Sequence, residues 1–286
     1  MACFRIRHRT QYLYNQPVRL GPHRLVLRPR ESHELRLISL DIVTTPDCTL
    51  TWAGDVFGNA IATASFDPQM ARAEALIIES TAMVELTSDA WPVFPIAASA
   101  AAFPFRYSVD ERADLGALRE PQYLDTMQRL RDWAKGFVRS NPTDTLSLLK
   151  DLNAGVSAAV SYQAREDEGT QSPSHTLNAG RGSCRDMAVL FAEAARALGL
   201  GARIVSGYLY NPASPMGTTH AWAEVFVPGA GWITFDPTNR QMGGFNLIPV
   251  AVARDLSQVM PVSGNYIGTS SDMARLTVAV EVTPHT

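Results

Sequence analysis

Three residues in the C-terminal half of the chain have side chains that together could perform nucleophilic chemistry: Cys184, His220 and Asp236. A thiolate attacks carbonyl carbons, an imidazole accepts and delivers protons, and a carboxylate beside the imidazole fixes its tautomer and stabilises its charged form. We therefore expect a nucleophile, a base and an orienting acid, provided that the fold brings the three side chains together.

Cys184 is predicted to begin a helix. Ser183 and Asp186 fit the S-x-x-[DE] capping pattern, and Gly199 ends a helical stripe of apolar residues formed by Met187, Leu190, Phe191, Ala194, Ala195 and Leu198. The unpaired N–H groups and the dipole at a helix start favour an anion, so this thiol should ionise more easily than a free one. Because a free cysteine is usually a small buried apolar residue, helix position alone leaves both interpretations open.

His220 and Asp236 are predicted on adjacent strands of a hairpin. Residues 219–227 alternate with period two, the turn at 228–231 contains two glycines, and a second strand runs to Asp236. Both side chains reach the same face only if even-numbered residues stand opposite even-numbered ones, whereas a tight pairing of Val227 with Trp232 would send Asp236 to the other face. We therefore predict an odd-numbered loop or a bulge, with glycines at positive φ.

The preceding residues predict a change of architecture along the chain. From Phe4 to about Leu86 short alternating segments are separated by turn residues, which is typical of an antiparallel β-sandwich. A segment rich in Pro and Ala at 91–105 follows, and helical patterns cover 122–138 and 143–159. We predict an α+β protein with a β module at residues 1–105 and a catalytic core at 106–286.

The composition excludes several classes of protein. The 25 Lys+Arg against 28 Asp+Glu residues give a net charge of −3, and 46% of residues are hydrophobic, which disfavours disorder and a polycationic nucleic-acid binder. The longest apolar stretch, 91–105, contains three prolines and is shorter than the roughly 20 residues that a membrane span needs. The first residues have no apolar signal region, and three cysteines are too few for a disulfide framework. We expect a cytoplasmic protein with neither a nucleic-acid nor a membrane partner, in which Cys3 and Cys48 are structural.

Several motifs together resemble the bacterial transglutaminase-like, papain-like thiol protease superfamily. They are GRGSCRDMA at 180–188, RALGLGARIVSGY at 196–208, HAWAEVF at 220–226, GWI at 231–233 and FDPTN at 235–239. Pro29-Arg30 and Phe57-Gly58-Asn59 resemble the N-terminal region that often accompanies this core in bacteria. The resemblance implies helices packed on an antiparallel sheet, with Cys184 as nucleophile, His220 as base and Asp236 as orienting acid, and it implies no cofactor and no metal.

The function predicted from these residues is a cysteine-dependent amide-bond hydrolase that acts on a peptide or protein through a thioester. Water is favoured as the second nucleophile because the sequence shows no dedicated amine site. Alternatives are a protein-glutamine transglutaminase or another amine acyltransferase such as an arylamine N-acetyltransferase, and a non-catalytic scaffold. A metal-binding module is a further alternative, since thiolate, imidazole and carboxylate all bind zinc, although no CxxC motif supports it.

Other polar and aromatic residues are candidates for supporting roles. The backbone N–H of Cys184 would help to hold an oxyanion, and Gln163 and Gln171 are candidate side-chain donors. Trp222 shares a strand face with His220 and would either shield it or pack in the core, and Tyr208 and Tyr210 would line the cleft or pack.

Overall fold

The computed structural model describes residues 2–67, 72–125, 128–165, 169–214, 216–217 and 219–285. The strands before the first helix are Ala2–Leu25 (β1), Leu35–Thr45 (β2), Thr49–Gly54 (β3), Ala60–Ser65 (β4), Ala73–Leu86 (β5) and Ala102–Phe103 (β6). The helices are Val109–Leu115 (α1), Arg129–Lys135 (α2), Thr145–Ala159 (α3), Pro173–Ala179 (α4) and Cys184–Ala197 (α5). The short strands between the helices are Thr143–Asp144 (β7), Ser161–Tyr162 (β8) and Arg181–Gly182 (β9).

The strands after α5 are Ala202–Leu209 (β10), Met216–Gly217 (β11), His220–Val227 (β12), Gly231–Asp236 (β13), Gln241–Met242 (β14), Leu247–Ala253 (β15), Val262–Ile267 (β16) and Met273–Pro284 (β17). The α+β fold class is thereby confirmed.

A curled antiparallel sheet, here the first sheet, is organised around the long strand β1. The first half of β1 lies between β5 and β17, whereas its second half pairs with β4 and β16. Alternate residues of the first half, among them Phe4 and Ile6, are buried on the inner face of this sheet. Because one strand serves both halves of the sheet, the sheet must curl where β1 changes partners.

The C-terminal strands return to the first sheet. β17 pairs antiparallel with β1 from Phe4 opposite Pro284 to Tyr14 opposite Met273, and β16 pairs with the far end of β1. The division into residues 1–105 and 106–286 stays a prediction, and this pairing adds a link across it that the sequence did not indicate.

The second sheet has the strand order β14-β13-β12-β10-β15 and packs on α5. The face of β12 towards the helix presents small residues, Ala221, Ala223 and Val225, which are buried in one cluster with Phe191 of α5. Small side chains on this face let the helix lie close to the strand. The start of α5 is thereby held beside β12.

One of the two predicted helices between the sheets is shorter than expected. The pattern at 143–159 becomes α3, and the Asp144 carboxylate caps it by accepting the N–H of Ser147 at 2.7 Å. In the pattern at 122–138 only α2 is helical, and residues 126–127 lie outside the described part of the chain. The N–H groups of Gln122 and Tyr123 donate to the Glu193 carboxylate, so a tertiary contact replaces the helical hydrogen bonds there.

A buried asparagine joins the first sheet to the edge of the second. The Asn59 side chain donates to the carbonyl oxygen of Val252 at 2.7 Å and accepts from its N–H at 2.9 Å. Val252 lies on the edge strand β15, so the amide of Asn59 takes the place of a neighbouring strand. Arg30 holds this amide by donating to its oxygen at 3.1 Å and to the carbonyl oxygen of Phe57 at 3.0 Å. The two N-terminal motifs singled out in the sequence thus form one interlocking contact.

A second polar contact, between His8 and Tyr208, also joins the two sheets. The buried His8 of β1 hydrogen-bonds Tyr208 of β10 through Nδ1 at 3.0 Å and Thr10 through Nε2 at 3.1 Å, and Tyr208 also hydrogen-bonds Ser80. Burial lowers the pKa of His8 to about 4. The ring is therefore neutral at pH 7, and each of its nitrogens has a partner without a buried charge.

Replacing Asn59 with alanine should destabilise the protein by about 2 to 3 kcal/mol, because the buried N–H and C=O of Val252 lose their hydrogen-bond partner. The measurement is urea unfolding followed by tryptophan fluorescence. Asn15→Ala is the control, since Asn15 is an exposed asparagine with one hydrogen bond to a backbone carbonyl. Equal unfolding midpoints for the two variants would contradict the role of Asn59 in connecting the two sheets.

Candidate active site

Cys184 occupies the first position of α5, as the sequence predicted. Ser183 precedes the helix in an extended conformation, and the Asp186 carboxylate accepts both its N–H and its hydroxyl at 2.8 Å. Asp186 is completely buried, and Arg165 neutralises it with hydrogen bonds of 2.9 and 3.0 Å. Asp186 therefore fixes the helix start and does not point its charge at the thiol.

The hairpin has the register that a contact between His220 and Asp236 requires. Val227 stands opposite Gly231 and Ala223 opposite Phe235, so the loop has three residues and odd-numbered positions pair with odd-numbered ones. Gly229 and Gly231 have φ values of 87° and 74°, which the chain adopts at low cost only with glycine. The predicted odd-numbered loop is confirmed.

This register brings His220 and Asp236 into contact. The imidazole Nε2 donates to Oδ2 of Asp236 at 2.7 Å, and the carboxylate is completely buried. Asn239 donates its side-chain amide to Oδ2 at 2.7 Å, and Oδ1 accepts the N–H groups of Thr238 and Asn239. Burial raises the pKa of Asp236, but the hydrogen bond and charge of His220, with the donors of Asn239, outweigh it and hold this pKa below its ordinary value.

The pKa values of His220 and Cys184 are shifted in opposite directions. Burial lowers the pKa of His220, but its hydrogen bonds to Asp236 and Cys184 and their charges raise it to about 10. Burial raises the pKa of Cys184, but the hydrogen bond and charge of His220 and the N–H of Ala221 lower it below its ordinary value. Since Nε2 is engaged by Asp236, the ring faces the sulfur with Nδ1. These shifts favour a thiolate at Cys184 beside an imidazolium at His220.

Trp222 covers the imidazole, and a glycine makes room for it. The indole ring stacks on His220 with a centroid distance of 5.9 Å and an interplanar angle of 30° and is almost completely buried. Gly207 pairs with His220 across the strands, and a Cβ there would lie 2.7 Å from the indole and 2.2 Å from the carbonyl oxygen of Ile248. Gly207 is therefore needed for the close packing of Trp222 beside the imidazole.

A cleft of about 400 Å³ opens over Cys184 and His220. Its polar side is formed by Asn211, Ser214, Thr219, Thr238 and Asn239, and its apolar side, here the apolar wall, by Leu209, Met216, Val280 and Val282. Tyr162 completes the lining. It lies on β8, which pairs in parallel with β9 directly before the cysteine.

The structure does not place the two candidate glutamines in this cleft. Gln163 is exposed, and the side-chain oxygen of Gln171 accepts the hydroxyl of Thr176 at 3.2 Å. Tyr208 is buried against His8, and the Tyr210 ring packs at an angle of 46° against the Phe4 ring, with 4.6 Å between centroids. Neither tyrosine is among the described residues of the cleft. The sequence missed Tyr162 because a two-residue strand gives no periodic signal.

Two properties of the described residues concern metal ions and membranes. Within them, no three His, Cys, Asp or Glu side chains are grouped so that they could hold a metal ion. None of the helices in these ranges has the length and apolar character required to cross a membrane.

The sequence matches two families at the positions of these elements. Residues 131–237, which include Cys184, His220 and Asp236, match the transglutaminase-like superfamily, and residues 4–85 match the bacterial transglutaminase-like N-terminal region. The chain belongs to the transglutaminase-like superfamily and carries its bacterial N-terminal region.

The chain is similar to several proteins, over different shares of its length. An uncharacterised protein of Mycobacterium tuberculosis is 27% identical over 301 residues, covering 98% of this chain and 92% of that one. A protein-glutamine gamma-glutamyltransferase of Pseudomonas aeruginosa is 30% identical over 94 residues, which cover 30% of this chain and 13% of that protein. A Cytophaga hutchinsonii structure described as a candidate cysteine protease has a TM-score of 0.72 at 19% identity, covers 99% of this chain and 90% of its own, and shows a common fold.

Iodoacetamide should alkylate Cys184 at pH 7 faster than Cys3 or Cys48, because the hydrogen bond and charge of His220 lower the pKa of Cys184. His220→Ala should slow the labelling of Cys184 by about tenfold or more, since each unit of pKa recovered removes tenfold of the thiolate. Peptide mapping by mass spectrometry follows the three cysteines in one sample. Equal labelling of all three in the folded protein would contradict the ion pair.

Asp236→Asn should lower the pKa of His220 by about one unit or more, because the amide keeps the shape of the carboxylate and loses its charge. A titration of the His220 ring by ¹⁵N NMR measures this midpoint, which lies at about 10 in the unaltered protein. Asp151→Asn, which removes a partly exposed carboxylate on α3, should leave the midpoint in place. An unchanged midpoint in Asp236→Asn would remove Asp236 from the site.

Proposed function

We propose that the protein is a cysteine-dependent amide-bond hydrolase, a peptidase or amidase with Cys184, His220 and Asp236 as its catalytic triad. The observation that supports this most directly is the buried 2.7 Å contact of Asp236 with an imidazole that hydrogen-bonds a helix-start cysteine. Membership of the transglutaminase-like superfamily supports acyl-transfer chemistry in general.

In the acylation step the Cys184 thiolate attacks the carbonyl carbon of the amide, and the carbonyl oxygen becomes an oxyanion. The N–H of Cys184, unpaired at the first position of the helix, is placed to donate to that oxygen. The tetrahedral intermediate collapses with cleavage of the C–N bond, and His220 delivers its proton to the departing nitrogen. An amine leaves, and a thioester on Cys184 remains.

In the second step the neutral His220 accepts a proton from water as the water oxygen attacks the thioester. The C–S bond breaks, a carboxylic acid leaves, and the thiolate and imidazolium are restored. Asp236 stays ionised throughout and holds the ring through Nε2, so Nδ1 remains directed at the sulfur. Trp222, stacked on the His220 ring, limits the access of water to that face of the imidazole.

The alternative in the same class is transfer of the acyl group to an amine, as in a protein-glutamine transglutaminase. The 94-residue match to such an enzyme of Pseudomonas aeruginosa favours it. Against it, none of the described cleft residues is Asp or Glu, so a lysine ammonium has no opposite charge to attract it. Water can act as the second nucleophile without a dedicated binding site. We therefore retain hydrolysis as the proposed reaction. A peptide or protein substrate and a cytoplasmic location stay predictions.

The test is incubation of the protein with a peptide library, with and without a primary amine, and mass analysis of the products. Hydrolysis gives fragments whose masses sum to the substrate plus water, whereas transfer gives amine-linked acyl fragments. Cys184→Ala should abolish either product because it removes the attacking atom, and Cys48→Ala should retain it because Cys48 packs in a separate core cluster.

Amine-linked products that outnumber hydrolysed ones would establish the acyltransferase alternative. Products that persist in Cys184→Ala would contradict both the hydrolase and the acyltransferase. The absence of any product from the unaltered protein, with Cys184 still rapidly alkylated, would favour the scaffold alternative. Stoichiometric zinc in the purified protein, lost in Cys184→Ser, would favour the metal alternative.

A further inference from the structure

The side chain of Asn239 links the cleft to the buried carboxylate. Asn239 is exposed and lines the cleft that opens over Cys184 and His220. Its amide nitrogen donates at 2.7 Å to Oδ2 of Asp236, the same oxygen that accepts Nε2 of His220. Asn239 thus has one end of its side chain on the carboxylate and lies in the space that is open to a substrate.

The contact with Asp236 fixes which way the Asn239 amide faces. An ionised carboxylate only accepts hydrogen bonds, so the amide nitrogen must be the atom that meets it, and the amide oxygen is directed away. Within the described ranges of the chain, this oxygen accepts no hydrogen bond. It is therefore available to a donor on a bound ligand.

The other side-chain carbonyl of the described cleft lining is already engaged. Asn211 is the second asparagine there, and its side-chain oxygen accepts the N–H of Ala213 at 3.0 Å. The nearby Ser214 hydroxyl donates to the carbonyl oxygen of Met216 at 2.9 Å. Asn239 thus supplies the amide oxygen of this lining that a substrate can use.

The turn that carries Asn239 is held at both ends by α3. The Ser157 hydroxyl donates to the carbonyl oxygen of Pro237, and the Asn153 amide donates to the carbonyl oxygen of Gln241 at 3.1 Å. An acceptor on such a fixed support loses little conformational freedom when a ligand binds to it. The oxygen of Asn239 is therefore positioned before a substrate arrives.

A peptide substrate brings a group that needs such an acceptor. Its backbone N–H groups lose water on entering the cleft, and an N–H that finds no partner there costs free energy. Beyond Cys184 and His220, the described lining has no charged side chain, since it contains no Asp, Glu, Lys or Arg. A neutral amide N–H therefore matches the free oxygen of Asn239.

We propose that Asn239 is a substrate-binding residue: its side-chain oxygen accepts one backbone N–H of a peptide, on the acyl side of the attacked carbonyl. The inference rests on the proposed function for the peptide substrate. The acyl part stays on Cys184 through both steps, so a hydrogen bond to it positions the carbonyl in each. The substrate position that carries this N–H should reject proline and N-methylated residues, which have none.

The experiment removes one N–H at a time from a probe that labels Cys184, so it does not require turnover. The probe is acetyl-tetraalanine chloromethyl ketone, and each variant of it has one backbone N–H replaced by an ester oxygen. The rate constant kinact/KI is measured for each reagent by mass spectrometry of the peptide that contains Cys184. It is divided by the rate of labelling with iodoacetamide, which has no peptide backbone, so that changes in the thiolate cancel.

In the unaltered protein, one ester reagent should label Cys184 about tenfold more slowly than the amide reagent, because it cannot donate to Asn239. In Asn239→Ala the amide reagent should be slower by about the same factor, because the acceptor is absent. The ester replacement should make no further difference in that variant, since the hydrogen bond can be lost only once.

Asn211→Ala is the matched control, since it removes the other asparagine of the described lining, whose oxygen is already engaged. It should keep the difference between the amide and ester reagents. Equal labelling of the unaltered protein by all the reagents, or labelling by none, would overturn the proposal even if Asn239→Ala did not fold. A difference that persists in Asn239→Ala, or that is lost equally in Asn211→Ala, would also overturn it.

The outcome is separable from that of the proposed function. A hydrogen bond to Asn239 detected by labelling, without hydrolysis of any peptide, would contradict the hydrolase and leave the binding role in place. Hydrolysis of peptides together with equal labelling by the amide and ester reagents would contradict the binding role and leave the hydrolase.

Discussion

A carboxylate that solvent does not reach must be neutralised by the protein itself, and the buried Asp236 imposes this constraint on the whole site. Its two oxygens are satisfied by His220, Thr238 and Asn239, which explains why the Asp-Pro-Thr-Asn sequence follows the strand directly. The hydrogen bond and charge of Asp236, together with those of Cys184, raise the pKa of His220 to about 10, and His220 in turn lowers the pKa of Cys184. The buried carboxylate therefore favours the charged form of His220, and through it that of Cys184, only because a three-residue loop puts His220 and Asp236 on one face.

The two sheets form one frame because polar side chains, in addition to apolar packing, connect them. Asn59 completes the hydrogen bonding of the edge strand β15, and His8 meets Tyr208 in the interior. Buried hydrogen bonds of this kind have narrow geometric tolerance, so they fix how the sheets are placed as well as holding them together. Precise placement matters here because one sheet carries His220 and Asp236 while the other borders the cleft above them.

The sequence was sufficient to predict the features that depend on local residue patterns. The capping residues and apolar stripe located Cys184 at a helix start, and the alternation of strand side chains required the loop parity that the hairpin has. Contacts between distant segments could not be predicted from the sequence. Asn59 and Val252 are far apart in the chain, the approach of β17 to the cleft leaves no periodic signal, and the N–H groups at 122–123 leave the helical pattern because Glu193 accepts them. The glutamines were candidates on spacing alone, and tertiary packing directs them elsewhere.

The pairing of β1 with β17 has a consequence for the order of folding. Strand β1 pairs with β5 along one edge, but its other edge stays open until a segment more than two hundred residues later in the chain arrives to cover it. During synthesis the cysteine helix and the hairpin emerge before that segment. Until β17 pairs with β1, the chain has an unpaired strand edge, and its cleft lacks the part of the lining that β17 contributes. The arrival of one late strand therefore covers an aggregation-prone edge and completes the surroundings of Cys184 in the same step.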